Sequence, residues 1–124
     1  MKNLIIAPTS NTPAIDFRKE GSLLIEGRSL PENTTQFFSP LINFADHLTA
    51  GEVNVTVKLE YLNSSSIKKL LELLRVFDAN KLIKSLYVDW FFEEEDEDIL
   101  ENGQIFEEIL IKALFRYHKT KIAA

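Results

Sequence analysis

Strict alternation of apolar and polar residues marks residues 53–61, near the middle of the chain. The apolar residues of this stretch share one parity and are Val53, Val55, Val57, Leu59 and Tyr61. Because successive side chains of a strand point to opposite faces, the alternation predicts a half-buried β-strand. Further along, the apolar spacing changes to three and four residues, at Ile67, Leu70, Leu71, Leu74 and Phe77. This second pattern predicts an amphipathic helix after the strand.

Two more segments on either side of this pair have strand patterns. Residues 13–29 contain two short alternating runs around a Lys-Glu-Gly turn, in which Gly21 can adopt a positive φ. They predict an antiparallel hairpin. Residues 85–92 are rich in β-branched and aromatic residues and predict a further strand. The strand-helix-strand order in the middle of the chain favours a right-handed parallel crossover.

The segment after the hairpin predicts a helix over residues 33–50. Asn33 is a suitable N-cap and Gly51 a suitable C′ residue. Pro40 interrupts this pattern, so two versions stay open. In the second version Ser39 caps a main helix that starts at Pro40, and the preceding turn is a separate short helix.

The last third of the chain predicts a helix over residues 98–111, which Gly103 weakens, and a final strand over residues 113–120. Together the elements predict an α/β fold. Helices would pack on a single-layer, mixed sheet of four or five strands. No internal repeat and no Pro/Gly-rich linker divides the sequence, so we expect one domain over residues 1–124.

Composition narrows the possible functions. The net charge is −5, but six consecutive acidic residues, Glu93 to Asp98, account for it, and the rest of the chain is nearly neutral. A nucleic-acid-binding face needs clustered Lys or Arg, which argues against a nucleic-acid partner. The chain has no cysteine, which excludes disulfides, thiolate zinc sites and cysteine nucleophiles and fits a reducing compartment.

Membrane and secretion signals are weak as well. The apolar run over residues 4–7 ends at Pro8 and is too short for the core of a signal peptide. No later apolar run approaches the length of a membrane span. We therefore expect a soluble cytoplasmic protein without a membrane partner.

Three serines stand between the predicted central strand and its helix. A cap needs one hydroxyl, and Ser64 or Ser65 would supply it as the N-cap. The other hydroxyls suggest a phosphorylation site, because free amides and the positive end of the helix dipole can receive a phosphate. Lys68 and Lys69 would then lie in the first turn as counter-ions to the phosphate, although exposed lysines without a role are the commoner case.

The remaining polar clusters give no pattern of a catalytic or metal site. The acidic run lacks the ligand spacing and turn glycine of a calcium loop, which favours a solvated acidic loop over a metal site. His47 and His118 stand apart from each other, without a motif for a catalytic triad or a metal. Arg28 and Glu32, in the stretch GRSLPEN, suit structural or partner contacts. Trp90 and its neighbours Phe91 and Phe92 are expected in the core, with the alternative that one of the three rings lies at an exposed interface.

Three blocks in this order and spacing resemble one family. They are GRSLPEN, LEYLNSSSIKKLLELL and DWFFEEEDEDILENGQIFEEI. Together they resemble the SiaC family of bacterial regulatory phosphoproteins, from about residue 4 to residue 111. The resemblance implies a non-enzymatic switch protein without cofactor or metal. In the family the modified hydroxyl follows the Asn of a YLN or YFN corner, which corresponds to Ser64; Ser65 and Ser66 stay as alternatives.

The resemblance also implies partners. They are a Ser/Thr kinase with a histidine-kinase-like ATPase fold, a PP2C-type phosphatase that reverses the modification, and a diguanylate cyclase. The unphosphorylated form would bind and activate the cyclase, which makes cyclic di-GMP and favours biofilm growth. The layout is also similar to STAS-type anti-sigma-factor antagonists, which gives an alternative partner switch that controls transcription.

These considerations lead to one hypothesis and two rivals. The hypothesis is a partner-binding surface around the corner, with phosphorylation at Ser64 releasing the partner. Its expected contact residues are Asn63, Ser65, Lys68, Lys69, Arg28, Glu32 and Asn33. One rival is a metal-dependent hydrolase that uses the acidic run, which would require a bound divalent ion. The other is a scaffolding domain whose binding phosphorylation does not change.

Overall fold

The architecture is a single six-stranded sheet with three helices on one face, seen here in a computed structural model that describes residues 1–121. The strands are β1 (Leu4–Ile6), β2 (Ala14–Phe17), β3 (Ser22–Ser29), β4 (Glu52–Leu62), β5 (Ser85–Glu93) and β6 (Leu114–Thr120). The helices are α1 (Thr34–His47), α2 (Ser64–Ala79) and α3 (Glu97–Ile109). The predicted mixed sheet with packed helices is confirmed, but the predicted number of strands, four or five, is wrong because β1 adds one.

The strands lie in the sheet in the same order as in the chain. β2 and β3 pair antiparallel, as the hairpin pattern predicted, and β1 adds a further antiparallel strand beside β2, whereas β3 to β6 are all parallel. Gly21 has a φ of 113° in the hairpin turn. A Cβ there would lie 2.2 Å from the carbonyl oxygen of Glu52, so the turn requires glycine on both counts.

The core lies between the helices and one face of the sheet. On β4 the odd-numbered residues up to Leu59 are buried, while Asn54, Thr56 and Lys58 line the opposite face. Val88 and Trp90 on β5 and Leu74 and Phe77 on α2 join the same core. Within residues 1–121 no helix covers the second face of the sheet, which we call the open face. None of the helices within residues 1–121 has the length and apolar character needed to cross a membrane.

A β-bulge near the end of β4 changes the predicted alternation. Gly27 is opposite Leu59, but the next residue, Arg28, is opposite Tyr61, so Glu60 is the extra residue. Beyond the bulge, Tyr61 is exposed at the end of β4, with the Arg28 guanidinium 5.7 Å from its ring centroid. The prediction that Tyr61 shares the buried face of Val53 is therefore wrong.

Helix α1 runs without a break through Pro40. The version with Ser39 as the cap of a separate helix is wrong. Gln36, whose carbonyl would otherwise accept from residue 40, and Pro40 are both exposed, so water can serve that carbonyl. The helix also ends earlier than predicted, at His47 with Leu48 as C-cap, so Gly51 is not its C′ residue.

The end of α1 is capped by another helix instead of by a glycine. The Asn80 side-chain amide, at the C-cap of α2, donates to the carbonyls of Ala45 and Leu48 at 3.0 and 2.9 Å. These bonds satisfy carbonyl groups that a helix C-terminus leaves without partners. A left-handed glycine is therefore not needed at this position.

Candidate functional site

Parallel strands with helices between them bring three sequence blocks to one edge of the sheet. The segments that follow β3, β4 and β5 each lead into the N-terminus of a helix. Because β3, β4 and β5 are parallel, all three segments lie at their carboxyl ends, where open α/β sheets usually bind their ligands. These segments contain most of GRSLPEN, the serine corner and the acidic run. We call this the carboxyl edge.

The N-cap of α2 is Asn63 rather than a serine. Its side-chain oxygen accepts a hydrogen bond from the amide of Ser66 at 2.9 Å, and its φ and ψ are extended. The prediction of Ser64 or Ser65 as the cap is therefore wrong. Ser64 is the first helical residue, so Lys68 and Lys69 lie at the start of the second turn. The prediction that they lie in the first turn is therefore wrong.

Ser66 is fully buried, and its hydroxyl has a structural partner. The hydroxyl of Ser29, also fully buried, donates to that of Ser66 at 2.9 Å. The Ser29 carbonyl also accepts from the amide of Asn63 at 3.1 Å. Buried hydroxyls need such partners, and these two bonds fix the corner against the end of β3.

Ser65 is exposed but takes part in a hydrogen-bond network. Its hydroxyl lies 2.7 Å from the Thr34 hydroxyl at the start of α1 and donates to the Asn63 side-chain oxygen at 3.2 Å. The N-termini of α1 and α2 are thus joined side by side. The sequence analysis did not identify Thr34 as part of this network. Its position directly after the Asn33 cap was the one feature that could have pointed to it.

Ser64 differs from the other two serines. Its side chain is exposed, and within residues 1–121 its hydroxyl has no hydrogen-bond partner. It lies at the N-terminus of α2, where the first backbone N–H groups of a helix have no intrahelical acceptor. An anionic group on Ser64 would therefore meet free donors and the positive end of the helix dipole.

The two lysines differ in their surroundings. The Lys69 ammonium pairs with the carboxylate of Glu72 at 3.0 Å. Lys68 is exposed and stands four residues after Ser64, which places both on neighbouring turns of one helix side. Lys68 is thus the better placed counter-ion for a charged group on Ser64.

The other expected contact residues divide between two sides of the sheet. Asn33 is the N-cap of α1, as predicted, and its side-chain oxygen accepts from the Gln36 amide at 3.0 Å. Glu32 precedes it and is exposed. Arg28 belongs to the open face of β3, and its guanidinium lies 5.7 Å from the ring centroid of Tyr61 at the end of β4.

The acidic run continues β5 and starts α3. The Asp96 carboxylate caps α3 by accepting from the Ile99 amide at 3.0 Å, and Glu97 and Asp98 fill the first turn. Negative charge at a helix N-terminus is stabilising, typically by about 0.3–1 kcal/mol per residue. Within residues 1–121 no group of three or more His, Asp or Glu side chains is arranged to hold a metal ion.

A second polar cluster lies on the open face. The Asp89 carboxylate accepts two hydrogen bonds from the Arg116 guanidinium, both at 2.9 Å, and contacts His118 Nε2 at 2.7 Å. Burial opposes ionisation of Asp89, but the hydrogen bonds from Arg116 and His118 outweigh it and hold its pKa below the usual value. Phe91, expected in the core, lies on this face and stacks on His118 with ring centroids 4.4 Å apart, whereas Trp90 is buried as expected.

Comparison with known proteins adds to this geometry. The family model for the SiaC family regulatory phosphoprotein matches residues 6–120. The chain belongs to the SiaC family. An uncharacterized protein of Pseudomonas aeruginosa, strain UCBPP-PA14, is 29% identical over an aligned length of 113, and the match covers 87% of this chain and 90% of that protein.

Two solved structures from Pseudomonas aeruginosa have a similar fold. SiaC superposes with a TM-score of 0.77 at 25% identity, over 95% of this chain and all of that one. A chain from the crystal structure of the diguanylate cyclase SiaD in complex with its activator SiaC also gives a TM-score of 0.77, at 26% identity. That match covers 93% of this SiaC-family chain and 99% of the other.

Proposed function

We propose that this chain is a phosphorylation-controlled partner-switch protein of the cytoplasm, without catalytic activity of its own. Its unphosphorylated form binds and activates a diguanylate cyclase. A cognate Ser/Thr kinase with a histidine-kinase-like ATPase fold modifies Ser64, and a PP2C-type phosphatase removes the phosphate. Membership of a family of regulatory phosphoproteins and the similarity to a SiaC described as the activator of SiaD support this proposal.

We choose Ser64 because the three serine hydroxyls differ in their exposure and in their hydrogen bonds. Ser66 is fully buried and bonded to Ser29, so a kinase would have to unfold the corner to reach it. Ser65 is exposed, but its hydroxyl is bonded to Thr34 and to Asn63. The Ser64 hydroxyl is exposed and has no such bond within the part of the chain that the structure describes.

The switch itself follows from the charge of the phosphate. A phosphate adds a charge of about −1.5 to −2 at the carboxyl edge. Burying that charge in a protein contact without a full counter-ion costs several kcal/mol. A cost of about 2.7 kcal/mol already lowers the affinity a hundredfold. Lys68 offsets part of the charge in the free protein, which orders the phosphate without cancelling its effect on the partner.

The experiment uses a candidate Ser/Thr kinase and a candidate diguanylate cyclase from the organism that encodes this chain. Wild-type protein, Ser64→Ala and the matched control Ser65→Ala are treated with the kinase and ATP and analysed by mass spectrometry. Each protein is then added to the cyclase, and cyclic di-GMP production is measured. We expect phosphate on Ser64 alone, loss of activation by the phosphorylated wild type and Ser65→Ala, and full activation by treated Ser64→Ala.

Two results would contradict the proposal. One is phosphorylated wild-type protein that activates the cyclase as strongly as the untreated protein. The other is Ser64→Ala protein that still accepts phosphate at the corner and loses activation with it. If the phosphorylated protein instead changes its binding to a sigma-factor regulator, the alternative of a transcriptional partner switch is favoured.

A further inference from the structure

A groove separates α2 from α3 next to the serine corner. Helix α1 packs along α2, whereas α3 makes its main contacts with β5 and β4. The groove that this leaves at the carboxyl edge has a volume of about 340 Å³. Tyr61 at the end of β4, Ile67 on α2 and Ile105 on α3 are among the residues that line it.

The apolar side chains of this groove are unusually exposed. Ile105 is 52% exposed and Tyr61 46% exposed, and Ile67 is half-buried. Ile109, one helical turn after Ile105, continues the apolar stripe along α3 and is also exposed. A contiguous apolar surface of this kind is typical of a protein–protein contact, because covering it with another apolar surface gains about 25 cal/mol per Å².

The rim of the groove carries one sign of charge. Glu60, Asp98 and Glu101 are among its lining residues, and no lysine or arginine within the described chain lines it. A partner segment that places apolar side chains on the floor therefore meets carboxylates on either side. Lysine or arginine beside the apolar stripe would complement these charges, and acidic residues there would be repelled.

We propose that the groove between α2 and α3 docks an amphipathic helix of the partner, with an apolar stripe flanked by lysine or arginine. A helix laid in a groove between two others is a common mode of recognition, and its anchors recur at three- and four-residue spacing. The proposal rests on the proposed function, since the helix would belong to the effector that Ser64 controls. Ser64 lies one turn before Ile67, which lines the groove, so the modified hydroxyl is next to the groove without lining it.

The sign of the charges determines how phosphorylation acts here. A phosphate on Ser64 adds negative charge to an acidic groove, and long-range attraction to a basic helix would increase. Release must therefore come from the volume of the phosphate and from the desolvation of its charge at close contact. Consequently Ser64→Glu, with a smaller and singly charged group, is expected to release the partner poorly.

Two synthetic helical peptides test the groove directly. Both carry the same leucine stripe, one flanked by lysines and the other by glutamates, and each is titrated into the full-length protein while amide NMR shifts are recorded. We expect the lysine peptide to bind at least about tenfold more tightly, with shifts centred on Tyr61, Ile67 and Ile105. Equal binding of both peptides, no binding of either, or shifts elsewhere would overturn the proposal.

Matched substitutions locate the contact. Ile105→Ser removes an exposed isoleucine from the groove, whereas Ile5→Ser removes one from β1 at the far edge of the sheet. Glu101→Lys reverses a charge at the rim, and Glu20→Lys makes the same change in the hairpin turn. We expect each groove variant to weaken the lysine peptide about tenfold and each control less than twofold. Equal effects in groove and control variants would refute the assignment.

The same variants separate this inference from the proposed function. If Ile105→Ser and Glu101→Lys activate the cyclase normally while phosphorylation still abolishes activation, the groove is not the docking site and the switch stands. If no candidate cyclase responds to wild-type protein but the lysine peptide occupies the groove with the expected selectivity, the docking site stands and the cyclase proposal fails.

Discussion

Asp89 organises the polar side chains of the open face. The register of β5 and β6 places it directly opposite Arg116, and the guanidinium donates two bonds to its carboxylate. His118, two residues along β6, reaches the same carboxylate. The β-branched and aromatic content of residues 85–92 predicted the strand that contains Asp89. It did not predict the pairing, since that depends on how two distant strands align.

The stability of the protein should depend on pH through Asp89. Its pKa is lowered in the folded state, so its ionised form stabilises the fold above the unfolded-state pKa of about 3.9. This stabilisation should be lost as the pH falls from about 4 through the lower folded-state pKa. We expect Asp89→Asn to be less stable than wild type at pH 6, and the difference to shrink below about pH 4.

Urea unfolding of both proteins across this pH range checks the prediction. Asp46→Asn is a suitable control, because this aspartate lies on α1 and is exposed. A difference between wild type and Asp89→Asn that stays constant down to pH 2.5, on the order of one unit below the usual aspartate pKa, would contradict the assignment.

At the scale of elements, Gly103 shows why a residue that disfavours a helix can be required in one. Its position in the predicted helix argued against that helix, because glycine costs about 1 kcal/mol relative to alanine. A Cβ at this position would lie 2.7 Å from Nε1 of Trp90. The Trp90 indole donates to the Ile99 carbonyl at 2.9 Å, and its ring meets Phe106 edge-on. The glycine therefore lets α3 approach β5.

Gly103→Ala should destabilise the protein in spite of the better helix propensity of alanine. Overpacking a well-packed core costs typically about 1–3 kcal/mol, which exceeds the roughly 1 kcal/mol gained in the helix. Denaturant unfolding gives the change in free energy, and Trp90 fluorescence should shift because the indole must move. Gln104→Ala, at the next and exposed position of α3, should be nearly neutral. A stabilised Gly103→Ala protein would show that the contact is not tight.

Most elements could be predicted, but several of their ends could not. Long periodic segments such as β4 and α2 were correctly identified because each buries one face. β1 was missed, since three residues are too few to show a period. The N-cap of α2 was assigned wrongly because Asn63, Ser64 and Ser65 can all cap a helix. The choice depends on the bond from Asn63 to Ser29, a contact between distant parts of the chain.

The candidate site was predictable in its parts and less so in its arrangement. The serine corner stood out from its position between a strand and a helix, and parallel strands explain why the acidic run lies at the same edge. The bulge at Glu60, which moves Tyr61 out of the buried face of β4, left no signal in the alternation. Thr34 could not be connected to Ser65 without knowing that α1 and α2 start side by side.

At the scale of the whole molecule, Asp78 ties together the end of the sheet opposite the serines. Although it lies outside the apolar stripe predicted for α2, its carboxylate accepts from the backbone amides of Ile111, Lys112 and Ala113, at 2.8–2.9 Å. These residues lead from α3 into β6. The Lys112 ammonium in turn donates to the carbonyls of Asn80 and Ile83. One carboxylate thus joins α2 to the connection that positions the last strand.

Asp78→Ala should be strongly destabilising, because it leaves two partly buried amides and one exposed amide without their acceptor. An unsatisfied buried donor costs about 1–3 kcal/mol, so a total loss of about 2–4 kcal/mol is expected. Thermal and urea unfolding measure it, and hydrogen exchange should show faster opening of β6 than of β4. Glu72→Ala, on the exposed side of α2, is the control and should change stability by less than about 0.5 kcal/mol. Equal losses for the two variants would refute the role of Asp78.

The common direction of the three helices has an electrostatic consequence for the protein as a whole. Each helix carries a dipole equivalent to about half a positive charge at its N-terminus, and here the three add up instead of cancelling. The carboxylates from Glu93 to Asp98 lie at that same end and outweigh this field beside α3, while the starts of α1 and α2 have no acidic residue in their first turns. The electrostatic potential at the carboxyl edge is therefore negative beside α3 and more positive at the starts of α1 and α2. This difference would orient an approaching charged molecule before the first contact.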